Sequence, residues 1–129
     1  MEVNIGKRNK TKGSNAERYY AKYFREKLGY SHCQTSRLGS RLHDNAGIDL
    51  IFIPFNIQIK SGYTRGLNIQ KELSYVKDKM TELFPKDSAE FKYPVIIIHK
   101  KDVGRGKKST ELDELVYMTF SDFCKIINK

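Results

Sequence analysis

The chain has 129 residues, enough for one domain with its own core, and its 39% hydrophobic content is typical of a globular protein. A formal net charge of +9, from 24 lysines and arginines against 15 aspartates and glutamates, favours solubility and a polyanionic partner, most often nucleic acid. No signal peptide is visible, and the longest apolar run, residues 95–98, is too short to cross a bilayer, so we expect an intracellular protein without a membrane partner.

The N-terminal part of the chain predicts an arm followed by a helix. Residues 1–13 are basic and polar without a period, and we expect a flexible arm that contacts phosphates or a plain disordered tail. Apolar residues at helical spacing predict a helix over residues 14–28, which Gly29 ends. Glu17 projects into the apolar stripe of this helix, where a carboxylate needs a partner. Alternatively, it forms a capping box with Ser14.

The middle of the chain predicts a strand, a loop and a hairpin. Residues 30–36 alternate weakly, as in a short strand, and residues 37–47 form a polar loop that contains glycine. Two apolar segments, residues 48–53 and 57–60, follow on either side of Pro54, which is typical of a turn. We therefore expect a β-hairpin at the centre of the fold.

Three polar residues, Asp49, Gln58 and Lys60, interrupt this apolar hairpin. Gln58 and Lys60 are two residues apart and share one face of a strand, while their isoleucine neighbours point into the core. A two-residue turn would pair Ile53 with Asn56 and bring Asp49 to the same face. Because Pro-Phe is not a favoured hairpin turn, a bulge or a wider loop could achieve the same result.

The second half of the chain predicts two more helices and two more strands. The expected elements are a helix over residues 68–84, an apolar strand over 94–99, a charged loop over 100–110, a strand over 115–119 and a helix over 121–128. The order α-β-β-β-α-β-β-α predicts a single α/β domain over residues 14–129, with a mixed β-sheet flanked by helices.

An acid, an amide and a lysine on one face suit metal-assisted hydrolysis of a phosphodiester. Mg²⁺ prefers oxygen ligands, and Asp49, the Gln58 amide oxygen and the Ile59 carbonyl can supply them. Glu17 could add a second carboxylate or orient a metal-bound water. Lys60 could stabilise charge in the transition state or hold the attacking water.

These residues resemble the PD-(D/E)XK nuclease superfamily, whose pattern is a helix with a glutamate, a strand that begins near an aspartate, and a following strand with Glu, Asp or Gln, any residue, and Lys. The corresponding segments here are Asn15-Ala-Glu-Arg-Tyr-Tyr-Ala21, Gly47-Ile-Asp-Leu50 and Gln58-Ile-Lys-Ser-Gly62. Within the superfamily, the chain is most similar to the small Holliday-junction resolvases of archaea and phages. These proteins are also short and basic, and they open with a Lys-Gly-x-x-x-Glu-Arg helix, as at Lys12 to Arg18. The resemblance covers residues 12–119.

The resemblance implies a restriction-endonuclease-like core and a Mg²⁺-dependent DNA endonuclease, with Mn²⁺ able to substitute. It implies cleavage of Holliday junctions in DNA recombination and repair, with Glu17, Asp49, Gln58 and Lys60 as catalytic residues. Since a resolvase nicks two strands symmetrically, we expect a homodimer. Ile48 stands where the family usually has proline, and Gln58 replaces the usual acidic ligand, which lowers the expected metal affinity. Two alternatives stay open: a sequence-specific endonuclease of homing or restriction type, and a DNA-binding module that has lost catalysis.

Basic residues near the predicted site and in the charged loop are expected to contact DNA phosphates, which sets affinity rather than sequence preference. The predicted DNA contacts are Lys12, Arg37, Arg41, Arg65, Lys100, Lys101, Arg105, Lys107 and Lys108.

Other kinds of site are disfavoured. Cys33 and Cys124 are far apart and outside any CxxC pattern, so we expect free, buried thiols rather than a structural zinc site. His32, His43 and His99 are scattered, which argues against a histidine-metal nuclease. We expect His43 at the surface or against DNA, and His99 in the core or at its edge.

Overall fold

The computed structural model describes the backbone of residues 5–62 and 67–128, and the side chains of the same residues from Gly13 onward. The helices are α1 (Ile5–Glu26), α2 (Ser36–Gly39), α3 (Arg41–Asn45), α4 (Ile69–Leu83) and α5 (Phe120–Ile127). The strands are β1 (Gln34–Thr35), β2 (Leu50–Ile51), β3 (Asn56–Gly62), β4 (Val95–Lys101) and β5 (Glu114–Tyr117). Short 3-10 helices span Ala89–Lys92 and Glu111–Asp113.

The strands form one five-stranded sheet in the order β1-β2-β3-β4-β5. Neighbouring strands are antiparallel except for β3 and β4, which run parallel from the Asn56–Val95 pair to the Gly62–Lys101 pair. A parallel pair needs a long crossover, and α4 lies in that connection. The predicted α/β class with a mixed sheet flanked by helices is confirmed.

One face of the sheet packs against α1. Ile57 and Ile59 of β3 join Tyr20, Ala21 and Phe24 of α1 in one hydrophobic cluster. Each fully buried aliphatic side chain of this kind contributes about 1.5–3 kcal/mol. The alternation of β3 therefore sends its isoleucines toward α1, as predicted, and leaves Gln58 and Lys60 on the other face.

The opposite face packs against α4. Val76 and Met80 of this helix meet Ile97 of β4 and Ile48, which precedes β2, in a second cluster. Asn68 caps the helix, since its side chain accepts a hydrogen bond from the Lys71 backbone N–H. The predicted boundaries of this helix agree with the structure to within one residue at each end.

The first helix starts earlier than predicted. It begins at Ile5 rather than Ser14, so the predicted start is wrong and Ser14 lies inside the helix instead of capping it. The spacing of apolar residues could not predict this start, because residues 5–13 contain no apolar stripe that continues the pattern of residues 14–28. At the other end, Gly29 adopts a positive φ of 84°, and the Tyr30 N–H bonds to the Phe24 carbonyl.

The pairing predicted for a two-residue turn is also wrong, and the alternative of a wider loop is confirmed. Leu50 pairs with Ile57, and residues 52–55 form the connection, so the strands are offset by two residues from the predicted pairing. The wider loop includes Phe52 at a positive φ of 65°. The strict alternation breaks here, because Ile48 belongs to the cluster under α4 whereas Leu50, two residues later, belongs to the cluster under α1. The predicted pairing therefore does not decide the face of Asp49, whose carboxylate is placed by the hydrogen bond that it accepts from the Ile59 N–H.

Three further elements differ from the predictions. The loop over residues 37–47 contains two short helices, of which α3 is capped by Ser40 Oγ. Strand β4 continues to Lys101, and α5 begins at Phe120 because Thr119, not Ser121, caps it. In the part of the chain that the structure describes, no helix is long and apolar enough to cross a membrane.

Candidate active site

Asp49 is fixed beside β3 by two hydrogen bonds. Its backbone N–H donates to the Ile57 carbonyl at 2.7 Å, and its Oδ2 accepts from the Ile59 N–H at 2.7 Å. The carboxylate therefore lies beside β3, immediately before the start of β2.

The Ile59 carbonyl points to the same side of β3 as the Asp49 carboxylate. In an extended strand, the N–H and C=O of one residue face the same neighbour, and the Ile59 N–H faces Asp49. The last described pair between β2 and β3 is Leu50 with Ile57, so this carbonyl lies past the end of the ladder. The predicted oxygen donors Asp49 and Ile59 are thus brought together.

Gln58 is buried, with 6% of its surface exposed, and its Oε1 has no hydrogen-bond partner among the described residues. Gly47 covers this side chain: a Cβ at position 47 would lie 3.2 Å from Gln58 Nε2 and 3.4 Å from the Tyr75 ring. A buried amide oxygen without a partner costs about 1–3 kcal/mol. The position therefore suits an oxygen that receives a cation or a donor.

Lys60 extends from the same face of β3 toward the start of α4. Its Nζ lies 3.3 Å from Oε2 of Glu72, and both side chains keep partial solvent access. The sequence analysis missed Glu72. Its position in the first turn of a predicted helix was visible, but nothing local indicated that this turn would lie over Lys60.

Glu17 is buried and bound by Arg37 through two hydrogen bonds, from Nε to Oε2 at 2.6 Å and from Nη2 to Oε1 at 3.0 Å. The capping-box interpretation fails, because Ser14 is within α1. The other interpretation, a buried carboxylate with a partner, holds. Both Glu17 oxygens accept hydrogen bonds from Arg37, whose positive charge therefore already balances this carboxylate.

Three of the four predicted catalytic residues interact electrostatically, because the charges of Glu17 and Lys60 both act on the Asp49 carboxyl. Burial raises the pKa of the Asp49 carboxyl to about 7, against the hydrogen bond from the Ile59 N–H. The charge of Glu17 raises this pKa further, whereas Arg37 and Lys60 lower it. The raised pKa shows that nearby cations do not fully compensate the Asp49 charge.

The residue set fits a hard divalent cation such as Mg²⁺. Asp49 offers a carboxylate, Ile59 a carbonyl past the end of a ladder, and Gln58 a buried oxygen without a described partner. No group of three or more His, Cys, Asp or Glu residues could hold a metal in the part of the chain that is described. A metal here would use the amide and backbone oxygens together with the Asp49 carboxylate.

Most of the predicted DNA contacts are exposed. Arg37 is exposed and also holds Glu17. The Lys100 ammonium lies 4.7 Å from the centre of the Tyr19 ring. The Lys12 side chain and Arg65 are outside the described residues. The other exposed predicted contacts are Arg41, Lys101, Arg105, Lys107 and Lys108.

The histidines and cysteines lie apart from this site or serve the fold. His43 contacts Ser40 Oγ at 2.7 Å and Glu90 Oε1 at 3.3 Å through its two ring nitrogens. His99 is buried in β4 opposite Lys60, as expected of a core histidine. Cys33 and Cys124 are free thiols, although only Cys33 is fully buried.

Comparison of the chain with protein-family models, with curated proteins and with solved structures found no match.

Proposed function

We propose that this protein is a Mg²⁺-dependent endodeoxyribonuclease of the PD-(D/E)XK type that cuts four-way DNA junctions. One observation carries the proposal. The Gln58 amide oxygen is buried without a described partner, on the face of β3 that also carries Lys60 and next to Ile59, whose N–H bonds to the Asp49 carboxylate. A fold alone gains nothing from such an arrangement, since each of these polar groups costs free energy when it is buried.

Each residue of the candidate site has its own role in phosphodiester hydrolysis. Asp49, Gln58 and Ile59 would hold the metal, which supplies a positive charge for the phosphate oxygens and lowers the pKa of a bound water. Mn²⁺, with similar ligand preferences, would substitute. The Lys60 ammonium donates hydrogen bonds to the phosphate as negative charge develops. Arg37 keeps Glu17 in place beside Asp49.

The charge of the chain supports a DNA substrate. The net charge of +9 and the exposed basic residues of the 101–108 segment suit phosphate contacts without base readout. Recognition of a junction by its shape requires no more than such contacts. Because a junction has two equivalent strands to cut, we propose a homodimer with one site in each subunit.

One alternative is a DNA-binding module without catalysis. Two ion pairs favour this alternative, because Glu17 is already paired with Arg37 and Lys60 is already paired with Glu72. Gln58 favours it too, since an amide contributes no negative charge to a metal site. The other alternative, a sequence-specific endonuclease with the same residues, would cut linear duplex at one sequence.

A cleavage assay distinguishes the proposed junction-cutting enzyme from the two alternatives. The wild type, Lys60→Ala and the matched control Lys79→Ala are incubated with a four-way junction and with linear duplex, in Mg²⁺ or in chelator. Lys79 is a suitable control because it is a partly exposed lysine in a salt bridge with Glu82. We expect paired nicks in the junction with Mg²⁺, a loss of about 100-fold or more in Lys60→Ala, and no change in Lys79→Ala.

Each other result selects an alternative. Cleavage that survives Lys60→Ala would remove the site assignment. Junctions left intact while linear duplex is cut at one sequence would identify the sequence-specific enzyme. Binding of DNA without Mg²⁺-dependent cleavage of any substrate would identify the inactive module.

A further inference from the structure

Two tyrosine rings of α1 lie side by side at the surface. Tyr19 is 48% exposed and Tyr23 is 44% exposed. Their ring centres are 6.3 Å apart, and the ring planes are inclined by 36°. They border a cleft of about 450 Å³ between α1 and β5, which Leu28 and Val116 also line. Exposed aromatic pairs are costly in water, so this pair is a candidate binding surface.

Tyr20 holds the Tyr19 ring in place. Tyr20 is buried, its ring meets Tyr19 edge to face at 5.1 Å between centres, and its hydroxyl donates a hydrogen bond to Glu114. The interaction joins α1 to β5 and fixes the helix under the exposed rings. Tyr19 is therefore a positioned ring.

Positive charge accompanies the rings. The Lys100 ammonium lies 4.7 Å from the centre of the Tyr19 ring, a cation–π distance. Lys22 is exposed and sits three residues after Tyr19, on the same face of α1. Glu114, which borders the same cleft, accepts the Tyr20 hydrogen bond. An exposed ring pair with lysines at its edge suits a partner with flat apolar groups and negative charges.

This surface lies at the end of the sheet that carries the candidate active site. Lys100 pairs with Ser61, which directly follows Lys60 in β3. On α1, Tyr19 is two residues from Glu17. The rings belong to α1, which covers one face of the sheet, whereas Gln58 and Lys60 lie on the face that α4 covers. A nucleic-acid strand would therefore pass around this end of the sheet to reach both the site and the rings.

We propose that Tyr19 and Tyr23 stack unpaired bases of a DNA strand whose phosphates contact Lys22 and Lys100. The inference rests on the proposed function and adds that the substrate presents unpaired nucleotides on the α1 side of the sheet end that carries Lys60. Base stacking on aromatic rings combined with basic groups is the usual way to bind single strands. A second copy of the chain is a less suitable occupant, because two surfaces with the same lysines repel each other.

The test measures binding in chelator, so that catalysis has no influence. Fluorescence anisotropy follows a labelled oligo(dT) and a duplex of equal length over a series of salt concentrations. We compare Tyr19→Ala/Tyr23→Ala and Tyr19→Phe/Tyr23→Phe with Phe120→Ala/Phe123→Ala. The phenylalanine pair is a matched control, since its rings are exposed, 6.5 Å apart and inclined by 35°.

We expect the double alanine variant to bind oligo(dT) at least fivefold more weakly per ring, with an unchanged salt slope. The Tyr→Phe variant and the Phe120/Phe123 control should stay within twofold of the wild type. Lys100→Ala should instead reduce the salt slope by about 0.7, as expected when one phosphate contact to a single strand is lost. The Lys100→Ala variant also tests DNA binding at this surface if the double tyrosine variant fails to fold.

Several outcomes would overturn the inference. Equal losses in the tyrosine variant and the phenylalanine control, or equal losses on duplex and single strand, would rule out specific stacking. A lower molar mass of the tyrosine variant by light scattering would identify a subunit interface instead. Wild-type binding to duplex with no binding to oligo(dT) would reject this inference but not the proposed function. Absence of binding to either DNA would reject both.

Discussion

Lys60 Nζ lies 3.3 Å from Glu72 Oε2, so the lysine of the candidate site is held by the first turn of α4. The two side chains are on the same face of the sheet as Gln58. Ion pairs with this degree of exposure contribute about 0.2–1 kcal/mol. The ion pair therefore orients the Lys60 side chain but adds little to the stability of the domain.

The first prediction concerns this pair. Glu72→Gln removes the charge that aims Lys60, and we expect junction cleavage to fall by about two- to fivefold, in keeping with a partly exposed ion pair. The reduction should appear in the single-turnover rate more than in DNA affinity. Glu82→Gln, at the exposed Lys79–Glu82 pair of the same helix, is the matched control and should leave the rate unchanged. Equal rates for all three proteins would mean that Glu72 does not position Lys60.

Gln58 should respond to a change of charge. Gln58→Glu adds a carboxylate where the structure has a buried amide oxygen without a described partner, so we expect it to keep or raise the affinity for Mg²⁺ and Mn²⁺. Gln58→Met, of similar size but without a hard oxygen, should lower that affinity. Isothermal titration calorimetry measures both. Weaker metal binding in Gln58→Glu would show that this residue is not a ligand.

Gly47 should be intolerant of a side chain for two reasons that can be separated. Gly47→Ala must keep a φ of +79° and place a Cβ 3.2 Å from Gln58 Nε2. Gly106 has nearly the same φ, +81°, with no described atom within 4 Å of an added Cβ, so Gly106→Ala measures the backbone cost alone, about 1–2 kcal/mol. We expect urea unfolding to show a loss in Gly47→Ala that is larger by about 1 kcal/mol. Equal losses would mean that Gln58 and Tyr75 move aside freely.

Asp122 should make stability depend on pH. Its side chain is buried and joins α5 to the rest of the domain through Lys77 at 2.8 Å and the Val95 N–H at 3.2 Å, and Lys125 of α5 itself lies 3.1 Å away. Burial acts to raise its pKa, but the bonds from Lys77, Val95 and Lys125 outweigh burial and leave the pKa below its usual value. A lowered pKa means stability that is present above about pH 3.9, the value for an unfolded chain, and lost as pH falls through the folded value.

Asp122→Asn tests that dependence. We expect a loss of about 1–3 kcal/mol at pH 7, because a buried charge-assisted network loses its acceptor, and a smaller loss at pH 3. The measurement is urea unfolding at the two pH values. Asp78→Asn, at an exposed aspartate of α4, should change little at either pH. A loss that does not shrink at pH 3 would show that the carboxylate charge is not responsible.

Much of the secondary structure could be predicted because its causes are local. The stripe Leu73, Val76 and Met80 predicts α4, and Asn68 caps it within three residues. The apolar run from Val95 predicts a strand covered on both faces, and β4 is covered on both. Predictions failed where no apolar pattern marks the boundary, as at the start of α1, or where the turn geometry decides the pairing, as in residues 52–55.

The sequence by itself determined the amphipathic helices, the buried strands and the common face of Gln58 and Lys60, because a period of two or of 3.6 follows from backbone geometry. The period of two did not place Asp49, because the alternation breaks between Ile48 and Leu50 and the Ile59 N–H holds the carboxylate. Only the tertiary structure decided which groups meet across the chain. Three such contacts depend on how the helices and the sheet pack. They join residues that are 20, 12 and 45 positions apart in the sequence: Arg37 and Glu17, Glu72 and Lys60, and Lys77 and Asp122.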